Sequence, residues 1–374
     1  MPVVDSPGLR ILLTALVAIG PLSTDLYLPS LPVLVTVFGA DVSTVQLTLS
    51  VFMAGFAVSQ LVYGPLSDRF GRRPVILGGM AVYFVATVAC ALAPSIDALI
   101  AARFFQALGG CVGPVVGRAV VRDVFGRDRA ASVLAYMATA MAVAPAVGPL
   151  FGGVLTEHIG WRANFVFLSI FAAVLGLFAV RMLGESNQHR DPHALRPGRM
   201  AANYLTLLRD RAYLGFVCAT AAVFCGMFAF ISGSSFLLVT GLGLSPTQYA
   251  LCFAMVVASF MGGSFSAGKL SGRFGFVRMI RVGSVLSLTG GVIGLALALA
   301  GEMHVVSIIA PMGLFIFGAG LTMPNASAGA VANYPTMAGL ASSLMGFVQM
   351  AAAAAVGAAV GLADDGTSLP IMAA

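Results

Sequence analysis

The chain has 374 residues, of which 59% are hydrophobic and only 9% charged, with a net charge of +6. That composition excludes an ordinary soluble domain, which is nearer half apolar and a quarter charged. It also turns the basic excess into a reading of loops between membrane helices rather than of nucleic-acid binding.

Apolar runs of about 20 residues recur from end to end, and in lipid every backbone amide needs an internal partner, so the runs are expected to be helices. They are continuous rather than alternating, which argues against a β-barrel. The expectation is an all-α membrane protein of eleven spans.

The first, 9–36, follows Arg10, has no clear small-residue cleavage site and runs on through "PLSTDLYLPSLP". It is therefore read as a retained helix, not a signal peptide. Asp25 is the only acid well inside any apolar run. A charge placed mid-helix costs about 3 kcal/mol, so Asp25 should face the bundle interior or water. Burial disfavours its charged form, which makes it a candidate proton carrier. Pro21, Pro29 and Pro32 interrupt the helix on both sides. The competing reading is a structural acid capping a broken helix end.

Spans 44–64 and 74–93 enclose "GPLSDRFGRRPVILGG", where Asp68, Arg69, Arg72 and Arg73 crowd into six positions. The fourth span, 97–120, carries Arg103 in "ARFFQALGG", the only basic residue deep in a span and the natural counter-charge for Asp25. A proton and that cation would compete for the carboxylate. Arg122 and Asp123 follow, then spans 131–155 and 163–183. In the fifth, Ala140, Ala144, Gly148 and Gly152 lie four apart and share a face; Ala258, Gly262 and Ser266 of the eighth are expected to face them.

A polar linker, 185–211, separates a bundle at 1–184 from one at 212–374, with spans 212–239, 247–268, 279–300, 304–328 and 336–362. The ending "DDGTSLPIMAA" falls where a twelfth span would begin, and is read as the start of one cut short. The basic residues gather on alternate loops: Arg10, Arg69, Arg72, Arg73, Arg118, Arg122, Arg127, Arg129, the linker from Arg181 to Arg211, then Lys269, Arg273, Arg278 and Arg281. Only Arg162 falls on the other side, so the N-terminus is expected in the cytoplasm.

"GKLSGRFGFVRMIRVG", 268–283, aligns on 64–79 at an offset of 204 residues with eight of sixteen positions identical. Both copies follow the second span of their half, which implies internal duplication. Arg and Asp at such a turn can form charge-assisted hydrogen bonds across a sliding interface and so latch two bundles. Topology anchoring explains the arginines but not Asp68 or the spaced glycines. Gly272 replaces the acid in the second copy, so that half should latch weakly or not at all.

Two six-helix halves with this turn resemble the major facilitator superfamily. Gly64, Leu66, Asp68, Arg69, Gly71, Arg72 and Arg73 match its signature between helices two and three, with Arg122 and Asp123 as the implied gate partners. Gly148, Pro149, Gly152 and Gly153 resemble the family's antiporter motif, with Ala144 in place of its first glycine; ordinary small-residue packing is the alternative. Arg103 and Gln106 resemble its fourth-helix motif, with Ala107 in place of glycine. Asp25, Tyr27, Pro29 and Pro32, with "VRD" after the fourth span, resemble the bicyclomycin- and chloramphenicol-resistance (Bcr/CflA) branch of drug:proton antiporters.

The resemblance implies efflux of small amphipathic or aromatic drugs across a bacterial inner membrane by a monomer. The proton gradient is the energy source, with no cofactor and no nucleic acid as partner. Tyr27, Gln106 and Asn325 are weaker candidates for the cavity wall. Proton-coupled transport of a metabolite is the alternative, though few polar groups are embedded to hold a polar solute. The five cysteines lie in apolar runs without metal-ligand spacing, and no two of the four histidines are spaced as a metal pair. No phosphate loop or nucleophile elbow supports an enzyme.

Overall fold

The structure, a computed structural model, describes residues 6–188, 190–195, 197–334 and 337–374. The side chains of Arg127, Arg129 and Ala140, named above, lie outside the described residues, as does His189, one of the four histidines. The helices are α1 (Pro7–Asp25), α2 (Leu31–Phe38), α3 (Val42–Phe70), α4 (Arg72–Ala91), α5 (Ile96–Gly110), α6 (Arg118–His158) and α7 (Arg162–Met182). The linker contributes α8 (Pro197–Arg209). The second half holds α9 (Arg211–Ser235), α10 (Pro246–Phe274), α11 (Phe276–Leu299), α12 (Val305–Ala332), α13 (Ala338–Leu362) and the short α14 (Leu369–Ala373).

Among the described residues no strand occurs, and eleven helical stretches are long and apolar enough to cross a membrane. Two connections depart from the sequence expectation. The fourth and fifth spans are joined without a break, because α6 runs 41 residues through the charged stretch after Arg118. Arginine and alanine are good helix formers, and no proline interrupts the helix before Pro145. The fourth span itself is interrupted at Gly113–Gly117 by a widened turn, where Pro114 withholds an N–H.

The duplication is visible in three dimensions. Gly71 and its counterpart Gly275 both sit between the second and third spans of their half, with φ of 103° and 79°. That left-handed backbone is open to glycine at little strain. A side chain added at Gly109 would strike Gly79 and Tyr83, and one added at Gly318 would strike Gly283 and Ser287, so each half uses the same close helix crossing.

The apolar core is shared at one end of the molecule and divided at the other. Away from the basic loops a single cluster joins Leu26, Leu49, Phe52 and Phe165 to Phe228, Phe253, Ile308 and Val360. Toward the basic loops the cores separate, one around Leu13, Tyr83 and Val120, the other around Tyr213, Ala330 and Leu344. Between them a cavity of about 400 Å³ opens, walled by Gln60, Arg118 and Arg122 on one side and Gly339, Ser342 and Ser343 on the other. The helical body is thus joined at one end and open at its basic end.

Candidate functional site

The first span breaks immediately after Asp25. Pro29 has no N–H to continue the helix, and the Tyr27 amide turns to Thr24 O at 3.2 Å. The carbonyl of Ser23 is left for another donor, which is Arg103 Nη1 at 2.9 Å. The same nitrogen donates to Gln106 Oε1 at 2.6 Å, and Gln106 in turn donates to Thr87 at 3.0 Å. The guanidinium lies over Phe52 at 4.2 Å, Tyr27 at 4.9 Å and Phe165 at 5.9 Å. Arg103 has no exposed surface; Nη1 alone finds acceptors, and Nε and Nη2 have only the rings in place of water. Tyr27 and Gln106, candidates for the cavity wall, are walls of this box instead; Tyr27 is tied to Thr48 at 3.0 Å.

No ion pair joins Asp25 to Arg103, which corrects the expected counter-charge pairing. Ser23 faces Tyr83 of α4, their hydroxyls 2.6 Å apart. Asp25 stands two residues further on, and positions two apart on a helix do not share a face. Its carboxylate accepts from Thr24 Oγ1 at 3.2 Å and lies within electrostatic reach of Tyr249 on α10. It is only 4% exposed. Asp25 therefore occupies the seam where α1, α6 and α10 meet, a buried acid with no cation beside it.

The fifth-span glycines build that seam. A Cβ at Gly148 would press on the Asp25 Cβ at 3.0 Å, and one at Gly152 would collide with the Leu26 carbonyl. Gly153 turns the other way and meets Pro246 at the start of α10. Pro149 sits within α6 between them. Of the facing surface expected from Ala258, Gly262 and Ser266, Gly262 instead meets Phe317 of α12, while Gly153 of α6 meets α10 at Pro246, near its N-terminus.

At the basic end, Arg72 organises the charged turn. Its Nη1 donates to Asp68 Oδ1 and Ser67 Oγ, both at 2.6 Å, and its Nε to Asp123 Oδ2 at 3.0 Å. Three elements, α3, α4 and α6, are clamped by one planar fork. Gly71 lacks a side chain to cap α4, and Glu185 supplies the cap by accepting from the Arg72 and Arg73 amides at 2.9 and 3.3 Å. Ser186 donates to Asp123 at 3.1 Å, and Asn187 to the Asp68 carbonyl at 3.1 Å. These linker residues were read only as linker. An acid just past a helix end, able to reach the bare N-terminus of another helix, carries no local sequence signal.

The remaining gate candidates do less. A side chain added at Gly64 would meet open space, and the residue borders the cavity. Arg69 lies over its neighbour Phe70, Arg73 donates to the Val180 carbonyl at 3.1 Å, and Arg122 projects into the cavity. In the second half, Lys269 and Arg273 rest on Phe265 and Phe274. Ser271, the counterpart of Ser67, donates to Asn325 at 2.6 Å. Asn325 also donates to Leu321 O at 2.8 Å. It is thus an interhelical tie at the second turn, which carries no acid, and does not line the cavity.

A duplicated helical body with a charged first turn and a glycine-lined acid has a recognised parent. The model of the Major Facilitator Superfamily matches residues 13–358. The chain belongs to that superfamily.

Its relatives within the superfamily include multidrug resistance protein D of Escherichia coli (strain K12), 30% identical over 91% of this chain and 85% of the relative. A chloramphenicol resistance protein of Pseudomonas aeruginosa is 31% identical over 89% and 79%. A bicyclomycin resistance protein homolog of Haemophilus influenzae is 28% identical over 94% and 88%. Among solved structures, a partially occluded inward-open conformation of the xylose transporter XylE from E. coli superposes with a TM-score of 0.76. It is 12% identical and covers 98% of this chain and 93% of that one, a likeness of fold. The chain is accordingly a multi-pass membrane protein and a secondary transporter, not an enzyme.

Proposed function

We propose that the chain exports small amphipathic or aromatic compounds across the bacterial inner membrane in exchange for protons. The observation that carries the reading is Asp25, buried without an ion pair in the seam between the two halves, where Gly148 leaves no room for a side chain beside it. The names of the relatives, which concern multidrug, bicyclomycin and chloramphenicol resistance, support the cargo class.

The basic end is taken as cytoplasmic because of its arginines, so the cavity faces the cell interior. Cargo enters there; the halves rock about the Asp25 seam; the cavity reopens on the far side. Asp25 holds its proton while the seam is dry and releases it when cargo and water reach it. Arg103, fixed to the Ser23 carbonyl, adjusts that exchange through the α1 break rather than by direct pairing. No cofactor takes part; the proton gradient is the drive.

The test uses energised inverted membrane vesicles, a fluorescent probe of lumenal pH and a panel of drugs including chloramphenicol-type compounds. Wild type should lose part of its gradient on drug addition, and Asp25→Asn should not. Equal responses in both would move the proton to another group. A response to sugars or amino-acid derivatives but to no drug would favour the metabolite reading.

A further inference from the structure

The open cavity is not electrically neutral, and its charge says something about what it holds. Arg118 and Arg122 stand four apart on α6 and both face it. Like charges at that spacing repel, and neither guanidinium has an acidic partner among the described residues. Among the described residues the polar contact of Arg118 is the thioether of Met141 at 3.6 Å. Asp68, on the same wall, is committed to Arg72, and Asp191 accepts from the His193 amide at 2.8 Å.

The opposite wall supplies no relief. It is the start of α13, with Gly339 close to Arg122 and with Ser342 and Ser343 lining the space. A helix start carries partial positive charge. At the basic end of the second half the described acid is Asp210, and it is taken by Tyr334 at 2.6 Å. Closing this end would therefore bring two unpaired cations toward a third positive region.

We infer that Arg118 and Arg122, with Ser342, Ser343 and the first turn of α13 opposite, form a binding site for the anionic group of an amphiphile, a carboxylate or phosphate whose apolar part occupies the inner cavity. This rests on the efflux reading for its role as cargo. Bound there, an anion neutralises the first wall and accepts hydrogen bonds from the second. The loaded transporter closes more readily than the empty one, which ties closure to cargo. In a low-dielectric cleft the paired guanidiniums also concentrate anions at the mouth.

The experiment measures binding to the purified full chain in neutral detergent at low salt by equilibrium dialysis. Its probes are biphenyl-4-carboxylate, the corresponding amide and the corresponding methylammonium. The carboxylate should bind at least about tenfold more tightly than the amide, the gain typical of one charge-assisted contact. That ratio should collapse toward one in Arg118→Gln and Arg122→Gln, while Arg209→Gln, outside the cavity, keeps it. Equal or tighter binding of the amide or the methylammonium, or a ratio indifferent to both cavity substitutions, overturns the site.

Two further arms separate the sources of the anion. Phosphatidylglycerol that displaces the carboxylate, together with a carboxylate that is bound but not moved in proteoliposomes, keeps the site and overturns its assignment to cargo. Carboxylate movement lost in Arg118→Gln supports the cargo assignment. If no probe of any charge moves, the efflux reading fails, yet the binding ratios still judge the anion site by themselves.

Discussion

The two copies of one sixteen-residue stretch have met different fates. Gly71 and Gly275 hold the same backbone, Ser67 and Ser271 the same position, Arg69 and Arg273 the same exposed stacking on a following phenylalanine. In the first copy Asp68 and Arg72 draw Asp123 into a three-helix clamp. In the second, Gly272 and Phe276 stand in their places and Ser271 settles on the neutral Asn325. The glycine turn is therefore what the fold needs twice. The acid and the forked cation are additions to one copy, where they tie α3, α4 and α6 of the first half to one another rather than to the second half.

Substitution of Arg72 should break this asymmetry most severely. Arg72→Ala leaves Asp68 and Asp123 facing each other without a cation and should cost about 2 kcal/mol, the worth of charge-assisted bonds at a partly exposed site. Thermal unfolding of the detergent-solubilised protein reads this. Arg72→Lys should recover little of it, because an ammonium cannot bridge two carboxylates as a planar fork does. Full recovery by lysine would reduce the clamp to simple charge balance.

Glu185→Ala should come next, at about 1 kcal/mol for a lost helix cap. Its effect should persist in an Arg72→Ala background, since it caps α4 through backbone amides rather than through the Arg72 side chain. Loss of additivity in the double variant would show that cap and clamp act as one unit.

A smaller effect is expected from Gly272→Asp, which restores the missing acid to the second copy. A side chain there meets open space, so it is accommodated, but Phe276 offers it no cation and stability should change by under about 0.5 kcal/mol. Adding Phe276→Arg should create the pair, and a double-mutant cycle on melting temperature should show coupling. Absence of coupling would mean that a partner on the Asp123 position is indispensable.

The least effect concerns the acid at the second half's basic end. The Tyr334 hydroxyl holds Asp210 below the usual carboxylate range. A lowered folded value means that this contribution is complete above the unfolded pKa and fades as pH falls through the folded one. Tyr334→Phe should thus lower the melting temperature slightly at neutral pH and bring the curves together in acid. A difference that grows in acid would reverse the sign of this account.

Much of this was legible beforehand, and the failures share a cause. Span positions followed from apolar length, and Asp68, Arg72 and Asp123 from a long motif in a defined slot. Asp25 stood out as the one acid deep in an apolar run. What sequence could not place was the partner of each charge. Arg103 seemed destined for Asp25, yet a helix break freed a carbonyl that took the guanidinium first. Glu185 lay unnoticed in the linker because its task depends on where α7 ends relative to α4. Asn325 beside a proline suggested a pathway and proved to be a tie to Ser271. Composition tells which groups need partners; three-dimensional proximity decides which they receive.

The most direct measurement of the central claim is proton release on cargo binding by the purified transporter in weakly buffered detergent. A pH indicator is followed as chloramphenicol-type compounds are added. The account predicts release from wild type and from Arg72→Lys, and none from Asp25→Asn even when binding itself is retained. Undiminished release from Asp25→Asn would contradict it, and the proton would have to be sought on another group.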